Sequence, residues 1–239
     1  MQLRCYDLQH KFDNTCMRII DTFLQLIAPD ICTGCGLEGT ALCDGCASSM
    51  QYPDRCYVCK KPSLASLTCL KCKKHTLLSA LYVVSAYSGI AKEVVHKAKY
   101  GTSPSTCRRM GLIVRTRLPY FEGDYTIVTH IPTTPSRVRE RGFDQSLELA
   151  KSLCVPGSLL HVPLLIRKTR SHQVGSTRKE RIEHMQDGFE AINPDFFKGK
   201  TVLLVDDVLT TGATMESASR VLKKAGAKRV LGAVFARVE

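Results

Sequence analysis

Apolar residues recur along the chain in two rhythms, and the change between them divides it. Over residues 17–27, Ile20, Phe23, Leu24 and Ile27 follow helical spacing, and Pro29 ends the helix they predict. A helix with one apolar face is expected to pack on the chain's own core. Residues 32–75 hold little apolar bulk and several turn residues, and a module so poor in core needs a staple to fold. Beyond residue 77 short apolar runs alternate with helical stretches. Residues 81–86, 126–131, 201–205 and 229–236 read as strands, the second closed by Pro132. The run VLLV at 202–205 has no polar alternation, which predicts a strand buried on both faces. Residues 91–100, 145–153 and 215–225 read as helices. Gly101 and Gly226 stop the first and last of these, and the last carries Ala218, Val221, Leu222 and Ala225 on one face. Strands alternating with helices predict an α/β fold with a mostly parallel sheet flanked by helices. The organisation expected is an N-terminal helix over 1–30, a cysteine-rich module over 31–76 and an α/β domain over 77–239.

Composition adds the staple. The 239 residues include 12 cysteines, and eight of them form four C-x-x-C pairs: Cys32/Cys35, Cys43/Cys46, Cys56/Cys59 and Cys69/Cys72. Paired knuckles of this kind are metal ligands in a reducing compartment, and eight thiolates make two closed tetrahedral Zn²⁺ sites. Sequential pairing joins the first knuckle to the second and the third to the fourth, and its short loops close locally. A crossed pairing, first with third and second with fourth, is also feasible. His75 is near enough to be an alternative ligand. Cys5, Cys16, Cys107 and Cys154 have no such partner in sequence and read as buried structural thiols. No run has the ~18 apolar residues of a membrane helix, and the N-terminus lacks a signal-peptide core, so a cytoplasmic protein without a membrane span is expected.

Charge changes the picture next. The formal net charge is +12. Residues 1–80 hold 9 Lys/Arg against 7 Asp/Glu, whereas 81–239 hold 25 against 15. The densest segment, 137–181, has 10 basic and 4 acidic residues. Such a surplus suits anionic ligands or nucleic acid.

The candidate chemistry sits beside it. The stretch VLLVDDVLTTGAT (202–214) runs from a buried strand into a helix, and ligands of open α/β sheets bind beyond the carboxyl ends of strands. Asp206 and Asp207, expected just after the strand, are costly to hold together without donors or a cation. The vicinal hydroxyls of a ribose supply donors and Mg²⁺ a cation. Thr210, Thr211, Gly212, Ala213 and Thr214 then offer hydroxyls and backbone N–H groups at a helix N-terminus, where a phosphate is favoured. Gly212 permits close backbone approach. A pyrophosphate would need guanidinium donors. Arg137, Arg139 and Arg141 follow a strand end, while Arg167, Arg170, Arg178 and Arg181 lie in a Ser-, Thr- and Gly-rich segment read as a lid.

The 202–214 stretch resembles the phosphoribosyl pyrophosphate (PRPP) signature of type I phosphoribosyltransferases. The pieces YSGIAKEVVHKAKYG (87–101), IPTTPSRVRERGFDQS (131–146) and RKTRSHQVGSTRKER (167–181), together with the cysteine pairs, resemble the ComF family. That resemblance spans most of the chain from about residue 21 and implies a phosphoribosyltransferase-like domain behind a double zinc ribbon. It also implies PRPP with Mg²⁺ as ligand, Asp206 and Asp207 as the ribose-holding and candidate catalytic pair, and residues 210–214 on the 5′-phosphate. Association with single-stranded DNA uptake in natural transformation, and with other DNA-uptake proteins, follows from the same resemblance. An active phosphoribosyltransferase of nucleotide metabolism or salvage is the alternative. Two residues depart from the family pattern, Asp144 and His184 each standing where an Asn is usual.

Overall fold

The computed structural model describes residues 29–101, 103–121, 126–154, 158–168 and 188–239. The helix expected over 17–27, Cys5, Cys16, Arg170, Arg178, Arg181 and His184 lie outside the described residues.

The cysteine-rich segment contributes one short helix, α1 (Asp44–Ser48), and otherwise turns and isolated bridges. The sheet begins with β1 (Leu78–Ala86), followed by α2 (Gly89–Tyr100), α3 (Pro104–Thr116), β2 (Thr126–His130), α4 (Pro135–Arg141) and α5 (Gln145–Leu153). Then come β3 (Leu159–His161), β4 (Leu165–Arg167), β5 (Phe189–Ala191), β6 (Thr201–Leu209), α6 (Ala213–Lys224) and β7 (Arg229–Arg237). Five strands form one sheet in the order β1-β7-β6-β2-β3, with every pairing parallel. β4 and β5 form a separate antiparallel pair.

The alternation of strand side chains divides the interior in two. Leu203 and Val205 face a core with Val94 and Val95 of α2, Met110 of α3 and Leu149 of α5. Val202 and Leu204 face the other, with Ala218 and Leu222 of α6 and Leu165 and Phe189 of the small hairpin. All four strand residues are fully buried, as a parallel strand covered on both faces requires.

Three local differences from the sequence reading have physical causes. β6 does not end at Val205 but continues through Leu209, because β7 extends to Arg237 and supplies partners for Asp206, Val208 and Leu209. α3 was not foreseen because Thr106 and Gly111 interrupt a buried face otherwise formed by Cys107, Met110, Ile113 and Val114. Gly111 is required there: a Cβ would run into the Leu149 carbonyl and Ser152 of α5. α4 is short, opened by the Thr134 cap and Pro135 and closed by Gly142 at φ +83°.

The cysteine segment is fastened to both layers. Arg109 of α3 donates to the Leu42 carbonyl at 2.6 Å and pairs with Asp44 at 2.5 Å. Arg117 donates to the Tyr52 carbonyl at 2.6 Å, and Arg237 to that of Tyr57 at 2.7 Å. Among the described residues no helix is long and apolar enough to cross a membrane.

Candidate functional site

The register of β6 creates the site. β2 stops at His130, opposite Val205, and Pro132 cannot continue the ladder. From Asp206 onward β6 is therefore paired only with β7, and the side vacated by β2 opens as a cleft of about 250 Å³. Its walls are the ends of α2, α4, α5 and β4, the loop after β2, and the start of α6.

Within the cleft the two carboxylates differ. Asp206 accepts Ser146 Oγ and the Asp207 backbone N–H through one oxygen, both at 2.9 Å. Burial first, and then the charge of Asp207, push its pKa up to about 8 despite these bonds and Lys99. Asp207 pairs with Lys99 Nζ at 3.1 Å and accepts the Val208 N–H at 2.7 Å. One carboxyl thus holds its proton tightly, while its neighbour is paired with a lysine.

The cationic wall contains four groups, Lys99, Arg137, Arg141 and Arg167, against the three carboxylates Asp144, Asp206 and Asp207. Arg141 donates to Gln145 Oε1 at 2.7 Å and lies 5.9 Å from the Tyr100 ring centroid. Gln145 in turn donates to the Ala98 carbonyl at 2.5 Å, tying α5 to the end of α2. Arg141 Nε is buried without a hydrogen-bond partner, a donor that an anion in the cleft would engage.

Of the candidates read from sequence, Asp206, Asp207, Thr214, Arg137 and Arg141 line this one cleft. Thr210, Thr211 and Ala213 are exposed beside it, and Arg139 is exposed and does not line it. Gly212 sits at φ +83° as the N-cap of α6. A Cβ there would meet only Leu209 at 3.9 Å, so in the described chain its backbone angle, not crowding, calls for glycine.

Arg167 is a correction: it belongs to the strand β4 rather than to a lid. Its Nε donates to the Pro132 carbonyl at 2.9 Å and its guanidinium lies over Phe189 at 4.8 Å. Sequence reading missed Lys99 and Ser146 as site residues. Their signal was the pair of blocks KYG and DQS, which become neighbours only in the fold. Asp144 also takes on a definite role. One oxygen caps α5 by accepting the Leu147 N–H at 3.2 Å, and the other accepts the Thr133 N–H at 3.0 Å. His130, whose pKa burial lowers, lies 4.0 Å from that second oxygen and 3.1 Å from His161.

The cysteines gather into two clusters, Cys32, Cys35, Cys43 and Cys46, and Cys56, Cys59, Cys69 and Cys72. This is the sequential pairing, and His75 belongs to neither cluster. All sulfurs of a cluster lie within 4.8 Å of one another. Cys35 and Cys43 are 3.6 Å apart, and Cys59 and Cys69 are 3.8 Å apart. Tetrahedral zinc with Zn–S of about 2.3 Å needs sulfurs roughly 3.8 Å apart. Backbone N–H groups of Cys43, Cys46 and Cys69 point at cluster sulfurs at 3.3–3.5 Å, as charged thiolates require. The donor set fits zinc at both positions.

Comparison with known proteins agrees with this geometry. The family model "Phosphoribosyl transferase domain" matches residues 148–238, which include β6, the acidic pair and the loop into α6. The chain is 26% identical over 203 residues to the Competence protein ComFC of Streptococcus pneumoniae, covering 81% of this chain and 86% of that protein. It is 24% identical over 219 residues to the Competence protein F of Haemophilus influenzae, covering 87% and 90%. Among solved structures, the glutamine PRPP amidotransferase from B. subtilis aligns with a TM-score of 0.42 at 18% identity, covering 58% of this chain and 30% of that one. The α/β part is thus of the phosphoribosyltransferase type. With similarity to competence proteins over most of its length and with its two four-cysteine clusters, the chain resembles ComF-type proteins.

Proposed function

We propose that the cleft binds PRPP, and that the chain is a PRPP-binding ComF-type protein acting on single-stranded DNA during natural transformation. The observation that carries the first part is the meeting of Asp206, Asp207, Thr214, Arg137 and Arg141 around one polar cavity. Asp206 and Asp207 would hold the ribose hydroxyls, and residues 210–214 the 5′-phosphate. Arg137 and Arg141, joined by Lys99 and Arg167, would take the pyrophosphate. Arg178 and Arg181, which lie outside the described residues, are proposed to add to that positive charge. A Mg²⁺ entering with PRPP would supply the cation that two adjacent carboxylates and a pyrophosphate both favour. Asp206 fits that demand, since burial first, and then the charge of Asp207, raise its pKa, and a cation would offset both. The zinc module over 31–76, the α/β domain over 77–239, and a cytoplasmic setting complete the reading.

The competence role is supported by the names of the relatives and by the basic surplus beyond residue 80. Titration calorimetry with PRPP and Mg²⁺, followed by single-stranded DNA on the same sample, tests both parts. Micromolar PRPP binding that Asp206→Asn with Asp207→Asn abolishes is expected, and unchanged binding in that variant would refute the site. Single-strand affinity that is negligible even at low salt would remove the DNA role.

The second reading is turnover, with the phosphoribosyl group passed to a base or amine and pyrophosphate released. It is favoured by the phosphoribosyl transferase domain match. In it the acidic pair would act by stabilising the charge that develops on the ribose. PRPP-dependent pyrophosphate release across a panel of nucleobases and amines separates it from binding alone.

A further inference from the structure

The second cysteine cluster is fastened to the first turn of α6, next to the loop that leads out of the acidic pair. Glu216 lies in the first turn of α6, four residues after Gly212. Its carboxylate is taken up by the cysteine module. One oxygen accepts the hydroxyls of both Tyr57 and Thr76, and the other accepts the Leu77 backbone N–H at 3.2 Å. Tyr57 follows directly on Cys56 and is only 7% exposed. Its own carbonyl is held by Arg237 at 2.7 Å, at the far end of β7. Tyr57, inside the Cys56/Cys59 knuckle, and Thr76 and Leu77, between the second cluster and β1, therefore hold α6 through three donors.

A carboxylate in the first turn of a helix is drawn to the free N–H groups of that turn. Those groups are the ones that would hold a phosphate. Left unpaired, Glu216 would compete for them and would repel a dianion next to it. Three donors from the cysteine module both satisfy its charge and draw it off.

We propose that the second four-cysteine cluster is a structural part of the phosphate site, with Tyr57 as the positioning residue that holds Glu216 away from the N-terminus of α6. The proposal rests on the PRPP reading of the cleft. It makes the metal module more than an appendage: the cluster shapes Tyr57, Tyr57 places Glu216, and Glu216 leaves the 210–214 loop open to the anion.

The test is PRPP affinity, by calorimetry with Mg²⁺, on the full zinc-loaded chain. Tyr57→Phe should raise Kd about tenfold, the scale of one lost hydrogen bond to a charged group. Tyr52→Phe removes a hydroxyl of the same module that bonds Glu239 instead, at 2.6 Å, and should leave Kd within about twofold. Adding Glu216→Gln to Tyr57→Phe removes the unpaired charge and should restore Kd to within about threefold of wild type. Zinc content and thermal midpoint are read on each variant. If Tyr57→Phe loses zinc, Thr76→Val replaces it with the same expectation. A wild type that binds PRPP alongside a zinc-replete Tyr57→Phe of equal affinity overturns the inference, as does a double variant no better than Tyr57→Phe. A wild type that does not bind PRPP overturns the functional reading itself.

Discussion

Asp206→Asn should stabilise the ligand-free protein, and by an amount that grows with pH. The carboxyl is shut in beside the charge of Asp207, and its folded pKa stands at about 8 against an unfolded value near 3.9. A carboxyl whose folded pKa is raised contributes its full stability below the unfolded value and loses it as pH rises through the folded one. Between those limits the native state holds one proton that the unfolded chain has released, so stability falls by about 1.4 kcal/mol per pH unit. From pH 6 to pH 8 the wild type should therefore lose on the order of 2 kcal/mol that the asparagine variant keeps. For a chain of this size that is a divergence in Tm of about 4–8 °C. The amide oxygen can still accept the bonds from Ser146 and the Asp207 N–H, so geometry is preserved while the titration is removed. The assay is thermal unfolding of both zinc-loaded proteins at half-unit steps from pH 6 to 8.5. Staying above pH 6 keeps the thiolate sites metallated. Titrating groups remote from the acidic pair act equally on both proteins and cancel in the difference. If the two Tm curves run parallel, Asp206 is ionised throughout in the folded state and the account of its burial is wrong. The same variant should lose PRPP binding, so stability and ligand affinity would move in opposite directions.

Four further outcomes follow from named contacts. Arg141→Ala should weaken PRPP about tenfold or more, whereas Arg139→Ala should change it by less than about twofold, because only the former lines the cleft; calorimetry on both variants decides this. Gly111→Ala should cost roughly 2–3 kcal/mol in denaturant unfolding, since its Cβ would collide with the Leu149 carbonyl of α5 as well as with Ser152 Oγ, and the backbone carbonyl cannot turn aside. Cys32→Ser with Cys43→Ser should leave one zinc per chain by elemental analysis, because both residues serve one cluster; a crossed arrangement would leave none. Asp144→Asn should destabilise the chain by about 1 kcal/mol or more, because an amide has one acceptor for two N–H donors, those of Thr133 and Leu147. An unchanged denaturation midpoint there would mean that one of these bonds contributes nothing.

Local rules made much of the α/β part legible. The helix over 145–153 is found where its apolar spacing and preceding Asp144 put it, and the buried VLLV strand lies in the middle of the sheet. Knuckle spacing alone could not exclude crossed zinc pairing, yet local closure pointed to the grouping found. The misses share a physical origin, because they depend on partners remote in sequence. β6 runs past Val205 only because β7 is long enough to accompany it. α3 needs Gly111 for close packing on α5, and periodicity scores glycine as a defect there. Lys99 is one basic residue among 34 until the fold sets it 3.1 Å from Asp207. Arg139 and Arg141 look alike in sequence, but within the short helix α4 they point to different surroundings.

The features that cost this fold stability converge on one place. Asp206 resists ionisation, Arg141 carries a buried N–H without a partner, and Gly212 must take a left-handed backbone angle. All three lie along or beside the opening left where β2 ends. Asp207, Asp144 and Glu216, by contrast, are each matched by donors from a different element: α2, the loop after β2, and the cysteine module. A cleft kept unsatisfied only in its middle, with its rim carefully paired, is what a site looks like when the missing partners arrive with a ligand. In the PRPP reading proposed above, the partners would be hydroxyls or a cation for the carboxyl, and phosphate oxygens for the guanidinium and for the turn at Gly212. A ribose carrying phosphate groups at both ends supplies all of these at once, whereas a lone phosphate or a neutral nucleoside supplies only some.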